Sequence, residues 1–198
     1  RALTSSSDKR MVQQPTSFDN YAEVLARLGY PVKLQFSSIF GNEGGDLSLL
    51  PAAIGKRNEG EQWIGIAPFA AHKGKVYPPE MMERVIDLIE ENNPHCRIFL
   101  FGRGRDESHT FPEWCARHSH CIFVGDHLDT MRQELVLMSH LDVMVSMDSA
   151  NMHMASLTGT PVVSVWGATH PYAGFMGWHQ SEDNAVQRDL PCRPCSIF

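Results

Sequence analysis

Four stretches of this chain gather residue types that handle anions and hydroxyl groups. The densest is Ser146-Met-Asp148-Ser149-Ala150-Asn-Met-His153. An apolar run passes here into a helical one, so free N–H groups and the positive end of a helix dipole form an anion site. Ser149 adds a hydroxyl donor, and Asp148 can accept from sugar or ribose hydroxyls. His153 follows Ser149 by four residues and projects from the same helix face. The plainer reading is that Asp148 or Ser149 only caps the helix and His153 is a half-buried packing residue. Upstream, Ala71-His-Lys73-Gly74-Lys75-Val-Tyr77-Pro78 brings two lysines that could neutralise a phosphate, or else a solvated loop. Gly102-Arg-Gly-Arg-Asp106-Glu107 looks superficially like a dinucleotide fingerprint, but Glu107-Ser108 stand where a third glycine belongs. Asp106 and Glu107 are placed to accept hydroxyl hydrogen bonds, or lie on a surface turn. After the fourth stretch, Gly125–Asp129, Met131 is either a contact for a nucleotide base or a helix core position.

The elements that must hold these stretches follow from hydrophobic periodicity. Short apolar runs at 63–67, 97–101, 121–124, 142–146 and 161–166 read as five buried strands. Helices alternate with them. Met82, Val85, Ile86 and Ile89 fall at i, i+3, i+4 and i+7, with Pro79 and Glu80 at the start and Pro94 beyond the end. A second helix has Pro112 near its start and His118 near its end. A third carries Met131, Leu135 and Met138, and a fourth runs from about Ala150 to Leu157 and closes at Gly159. Continuous apolar strands alternating with helices predict a parallel sheet covered on both faces. Ligands of such sheets bind beyond the carboxyl ends of the strands, near a topological switch point. All four stretches lie at such ends.

Residues 1–62 are different in character. Phe18 to Leu28 reads as one helix, with Asp19 as cap and Gly29 as stop, and Ser37 to Gln62 reads as a connector with one short element. All ten histidines and the whole acidic excess lie after residue 62. Tyr172, Phe175 and Trp178 either pack under a loop or line a cleft.

Whole-chain arithmetic bounds the function. The 198 residues amount to about one domain and a remainder. At 42% hydrophobic and 20% charged the chain has the composition of a soluble globular protein. A formal charge of −6 argues against a nucleic-acid partner. No apolar stretch reaches the ~18 residues of a membrane span, and Arg1 to Ser7 is no signal peptide. The opening Arg1 suggests an excised piece of a longer chain. Five cysteines, an odd number, suit reduced thiols better than a disulfide framework.

The ordered motifs resemble glycosyltransferase family 9, the bacterial heptosyltransferase group. Asp148-Ser149-Ala150-Asn-Met-His153 is similar to the family's Asp-Ser/Thr-Gly-x-x-His element. Gly159-Thr-Pro161 and Gly167-Ala-Thr-His-Pro171 are similar to its Gly-x-Pro and Gly-x-Thr-x-Pro elements. Lys75-Val-Tyr77-Pro78 resembles its Lys-x-Trp-Pro element, and 102–107 its Gly-rich acidic loop. The chain differs at Ala150, at Tyr77 and at Phe69-Ala70, where the pattern has glycine, tryptophan and Gly-Ala. The resemblance covers roughly residues 63–198.

It implies an α/β, Rossmann-like doubly wound parallel sheet, the C-terminal domain of a GT-B enzyme. Residues 1–62 would be the tail of the N-terminal acceptor domain plus linker. Residues 63–198 would be the donor domain, truncated at its C-terminal end. The implied ligand is a nucleoside-diphosphate sugar, ADP-heptose, transferred with inversion to lipopolysaccharide or a related glycan. Lys75, Asp106, Glu107, Met131, Asp148, Ser149, Ala150 and His153 would bind the donor. The catalytic base would lie in the missing domain, and no metal or other cofactor is required. The implied setting is the cytoplasm, with peripheral association at the inner membrane.

Three other readings compete. Cys192-Arg-Pro-Cys195, or the cluster Cys115, His118, His120 and Cys121, could hold zinc, although zinc usually wants two pairs with suitable spacing. An NAD-dependent oxidoreductase would need a complete glycine fingerprint. A non-catalytic nucleotide-binding module would keep the fold with a degraded site.

Overall fold

Alternate residues of each apolar run serve two different cores. This is the geometric consequence of a strand covered on both faces. In the computed structural model, which describes residues 2–5 and 8–196, the central strand is β1 (Gln62–Ala67). Arg1, Ser6, Ser7, Ile197 and Phe198 lie outside the described residues, so the opening Arg1 and the outer ends of both sequence blocks do too. Beside β1 runs β2 (Cys96–Leu100), with Ile64 opposite Ile98 and Ile66 opposite Leu100. Ile64, Ile66, Ile98 and Leu100 enter one core; Trp63, Ala67, Phe99 and Phe101 enter the other.

The remaining strands are β3 (Cys121–Phe123), β4 (Val143–Met147), β5 (Val162–Trp166) and β6 (Ala185–Gln187). All pairings are parallel and the spatial order is β3-β2-β1-β4-β5-β6. This is the order of a Rossmann doubly wound sheet, whose direction of winding reverses between β1 and β4. Five strands are foreseen by periodicity. The sixth is not: β6 is a three-residue edge strand whose one strongly apolar residue, Val186, is 53% exposed.

Helices α2 (Pro79–Asn92) and α3 (Arg105–Arg117) send Met82, Ile86, Phe111 and Trp114 into the core of Ile64 and Ile98. Helices α4 (Met131–Met138) and α5 (Ala150–Leu157) send Leu137, Met138, Met152 and Ala155 into the core of Trp63 and Phe99. Pro112 is not near the start of α3, as the sequence suggests, but inside it. The helix starts seven residues earlier, where Gly104 caps it and Asp106 and Glu107 face the positive end of its dipole. Its one lost backbone bond is offset because Phe111 and Trp114, on either side of the proline, are anchored in the core.

The N-terminal helix is α1 (Ser17–Arg27), and its cap is Thr16 rather than Asp19. Asp19 occupies the third helical position. Its backbone N–H donates to Thr16 Oγ1 at 3.1 Å, and its carboxylate accepts from the Thr16 N–H at 3.0 Å. These hydrogen bonds hold the Asp19 carboxyl below its ordinary pKa. No residue of α1 is buried. The connector carries one short turn, Leu47–Leu49, and is tied to the α/β body. Ile54 is fully buried, its carbonyl accepts from Arg97 Nη1 at 2.6 Å, and the Gly45 N–H donates to Ser139 Oγ at 2.8 Å. Trp178 packs under a loop: it stacks on Phe36 at 4.9 Å and donates its indole N–H to the Phe36 carbonyl.

Phe111 is fully buried against Phe69, Trp114 and Phe123 at centroid distances of 5.1–5.8 Å. Phe111→Ala therefore empties the centre of one core. A loss of about 3–5 kcal/mol is expected, read as a lower urea midpoint at unchanged slope.

Candidate functional site

The reversal between β1 and β4 leaves their carboxyl ends diverging, and the loops that follow them face each other across the gap. After β1 the chain makes a tight turn, Lys73–Lys75, closed by the Lys75 N–H donating to the His72 carbonyl at 2.9 Å. After β4 it enters α5 through Asp148 and Ser149. Lys75 Nζ lies 2.8 Å from Asp148 Oδ2, with the two side chains only 14% and 4% exposed. The same Oδ2 accepts from Thr169 Oγ1 at 2.9 Å. A pair this dry stabilises only when its geometry is good and its remaining partners are present; removing one partner leaves an uncompensated charge.

Ser149 is the cap residue of α5, yet its side chain makes no hydrogen bond to the helix amides. Its hydroxyl instead lies 3.2 Å from Ser146 Oγ. The opening amides of α5 are thus left to whatever occupies the cavity in front of them. Ser149 thus occupies the cap position, as the plainer reading has it, but without a capping hydrogen bond from its side chain. His153, one turn further on, is half-buried, and burial pushes its imidazole below the ordinary histidine pKa. Asp148 opposes that shift and Lys75 adds to it, and the net lowering favours the neutral imidazole.

These groups line a cavity of about 510 Å³, with His72, Glu107 and Phe175 on its other walls. A second cavity of about 450 Å³ adjoins it and shares Glu107, Ala150 and Asn151. Met131 opens onto this second space and is 66% exposed, so the helix-core alternative for Met131 is wrong. The cause is its place as the first residue of α4, where the core-facing stripe has yet to begin. Asp129, from the fourth stretch, lines the same space.

The Gly-rich loop acts through Glu107. A Cβ added at Gly104 would sit 2.2 Å from Glu107 Oε2, and one at Gly102 would sit 2.5 Å from Glu107 Cγ. Glycine at both positions lets the Glu107 side chain fold back over the loop to reach both cavities. Asp106, its neighbour, is exposed and lines neither. Adjacent residues of a helix face different ways, and only the third helical position turns inward here.

Sequence reasoning does not single out Arg103, Thr169 or His72. On the wall of the second cavity Arg103 Nε donates to Glu134 Oε1 at 2.6 Å, and its guanidinium also bonds the buried Leu128 carbonyl. The role of Arg103 leaves no local mark because its partners are 25 and 31 positions away, and Thr169, though it lies in the Gly-x-Thr-x-Pro element, meets Asp148 only through the fold. The Cys/His cluster has a structural explanation. His118 is buried with Nδ1 2.9 Å from Glu90 Oε2 and Nε2 3.3 Å from Glu83 Oε1, which ties α3 to α2. Burial raises the pKa of the Cys115 and Cys121 thiols. Among the described residues no group of three or more His, Cys, Asp or Glu side chains is arranged to hold a metal ion, the Cys192–Cys195 pair included. No helix of the described residues is long and apolar enough to cross a membrane.

Comparison with known proteins supplies the context for this geometry. No curated protein matches the chain by sequence. Among solved structures, a glycosyl transferase family 9 protein from Veillonella parvula DSM 2008 superposes with a TM-score of 0.67 at 18% identity. That alignment covers 89% of this chain and 50% of the other. The E. coli heptosyltransferase WaaC with ADP-2-deoxy-2-fluoro heptose gives 0.59 at 18% identity, covering 94% and 53%. The E. coli ADP-heptose lps heptosyltransferase II gives 0.57 at 19%, covering 72% and 43%. The chain thus spans about half the length of these proteins, and at such identities the likeness shows the shared fold. The profile of glycosyltransferase family 9 (heptosyltransferase) matches residues 12–197, nearly the whole sequence. By that match, the chain belongs to glycosyltransferase family 9.

Proposed function

We propose that this chain binds the sugar-nucleotide donor, ADP-heptose, of an inverting glycosyltransferase. The observation that carries the reading is the Lys75–Asp148 pair, 2.8 Å apart, beside the uncapped start of α5. An inverting transfer needs an acceptor hydroxyl deprotonated on one face of the sugar and a diphosphate leaving from the other. Negative charge grows on that diphosphate, and fixed positive groups aimed at it lower the barrier. Lys75, the Ser149 hydroxyl and the amides opening α5 supply such groups. Asp148 and Glu107 accept from donor hydroxyls, His153 lies beside the phosphates or sugar, and the second cavity with Met131 takes the base. Similar proteins whose names include ADP-heptose or an ADP-linked heptose support the choice of donor.

On this reading residues 1–62 are the tail of an acceptor domain with its linker, and residues 63–198 are the donor domain. The catalytic carboxylate belongs to the acceptor domain outside this chain, so the chain binds donor without turning it over. The whole protein would transfer heptose to lipopolysaccharide or a related glycan, in the cytoplasm at the face of the inner membrane.

A thermal-shift panel of ADP, UDP, GDP and NAD tests the class of ligand. Stabilisation by ADP is expected; a response to NAD alone would point to an oxidoreductase, and none at all to a degraded module. Lys75→Ala is expected to weaken ADP binding by roughly 1.5–3 kcal/mol, the worth of a charge-assisted bond. Unchanged affinity by calorimetry would remove Lys75 from the site.

The depressed pKa of His153 gives a second test. A bound diphosphate brings negative charge near a neutral imidazole and raises its pKa, so binding takes up a proton between the free and bound values. Affinity should therefore increase as pH falls through that window, whose lower edge lies below the ordinary value of about 6.5. Calorimetry in two buffers of different ionisation enthalpy reads the uptake, and His153→Gln should reduce it. The same proton count in His153→Gln would separate His153 from the diphosphate.

A further inference from the structure

Arg193 is 7% exposed, which is unusual for a guanidinium, and its hydrogen bonds end on backbone carbonyls rather than on a carboxylate. Nε donates to the Gly167 carbonyl at 2.6 Å and Nη2 to the Thr169 carbonyl at 2.7 Å, while Nη1 holds the Arg188 carbonyl. A buried charge of this kind is tolerated only because its planar fork satisfies several acceptors at once. What it grips is the three-residue loop that follows β5.

The other contacts of that loop lead to the cavity. The Ala168 N–H donates to the Gly74 carbonyl at 2.8 Å, next to Lys75. Thr169 is fully buried, and its hydroxyl donates to Asp148. A Cβ on Gly167 would meet the Gly74 carbonyl oxygen at 2.2 Å, so the two loops are in direct backbone contact. The Ala168 carbonyl is taken by the N–H groups of Cys195 and Ser196. The segment around Arg193 therefore holds one side of the loop, and the loop's other side holds Asp148 directly and the backbone at Gly74, the residue before Lys75.

We propose that Arg193 is a positioning residue for the nucleotide site, acting through the 167–169 loop to keep Lys75 and Asp148 in register. Its effect on nucleotide affinity rests on the donor-site reading above; its effect on Lys75 does not. The path has two arms, Thr169 to Asp148 and Ala168 to Gly74. Lysine at 193 keeps the charge but offers a point donor in place of a fork, so it restores the grip only in part.

Two measurements on the whole protein test this. Without ligand, acetylation of Lys75 is followed by mass spectrometry against the exposed Lys33 and Lys56. Arg193→Met is expected to speed Lys75 labelling about tenfold relative to those references, with Arg193→Lys between. With ADP, Arg193→Met is expected to weaken binding by about tenfold or more, the scale on which small misplacements act. The double variant with Thr169→Val should fall well short of the product of the two single effects, because both interrupt one path. A merely structural arginine would lower the melting temperature yet leave the two effects multiplicative. Should Arg193→Met not fold, Arg193→Lys is read in its place. Unchanged Lys75 labelling in a folded variant, or fully multiplicative losses, would overturn the proposal. Failure of the unsubstituted protein to bind ADP would instead strike the donor-site reading, with the labelling result still deciding the role of Arg193.

Discussion

The ion pair between Lys75 and Asp148 is the constraint around which this end of the molecule is organised. Its members come from loops that the reversal of winding between β1 and β4 brings face to face. Each charge is nearly removed from water, so each needs the other and the surrounding hydrogen bonds to be tolerated. Thr169 is recruited to the same carboxylate oxygen, and the loop bearing Thr169 is itself bonded to the backbone beside Lys75. The pair thus ties three strand-end loops into one unit.

That unit leaves two kinds of positive group facing a cavity: an ammonium and the amides of a helix whose cap residue has turned away from them. Opposite stands Glu107, an acceptor delivered by a helix start whose loop glycines leave room for it. Cationic and donor groups on one wall and a carboxylate on another suit a ligand with a phosphate end and a hydroxylated part. The adjoining space, bordered by the exposed thioether of Met131 and by Arg103, Asp129 and Glu134, extends the cavity on the far side of Glu107. Family membership and this division of chemistry point in the same direction.

Much of the architecture was legible because a buried parallel strand writes itself as an unbroken apolar run and its helices as a 3.6-residue stripe. The strands from Trp63 to Trp166 and the helix from Ala150 to Leu157 could be read in this way. Elements that bury little could not: β6 has no stripe to read, and the cap of α1 lies three residues before the acid that completes it. Pro112 misled because proline usually marks a helix start, and the packing of Phe111 and Trp114 overrode that preference.

What the sequence determined by itself was local: which segments alternate, where each strand ends, and which residue types collect at those ends. Spacing alone put Ser149 and His153 on one helix face, while only the structure placed Asp106 and Glu107 at the start of α3. Tertiary structure decided the partnerships. Lys75 and Asp148 are 73 positions apart in the chain, and Arg103, Thr169 and Arg193 find their roles only through backbone and side chains far from them in sequence. It also decided between neighbours, turning Glu107 into the cavity and Asp106 out to solvent. The physical reason is that strand order and helix rotation, which set these distances and directions, arise from the packing of the whole sheet and leave no mark on any short stretch of residues.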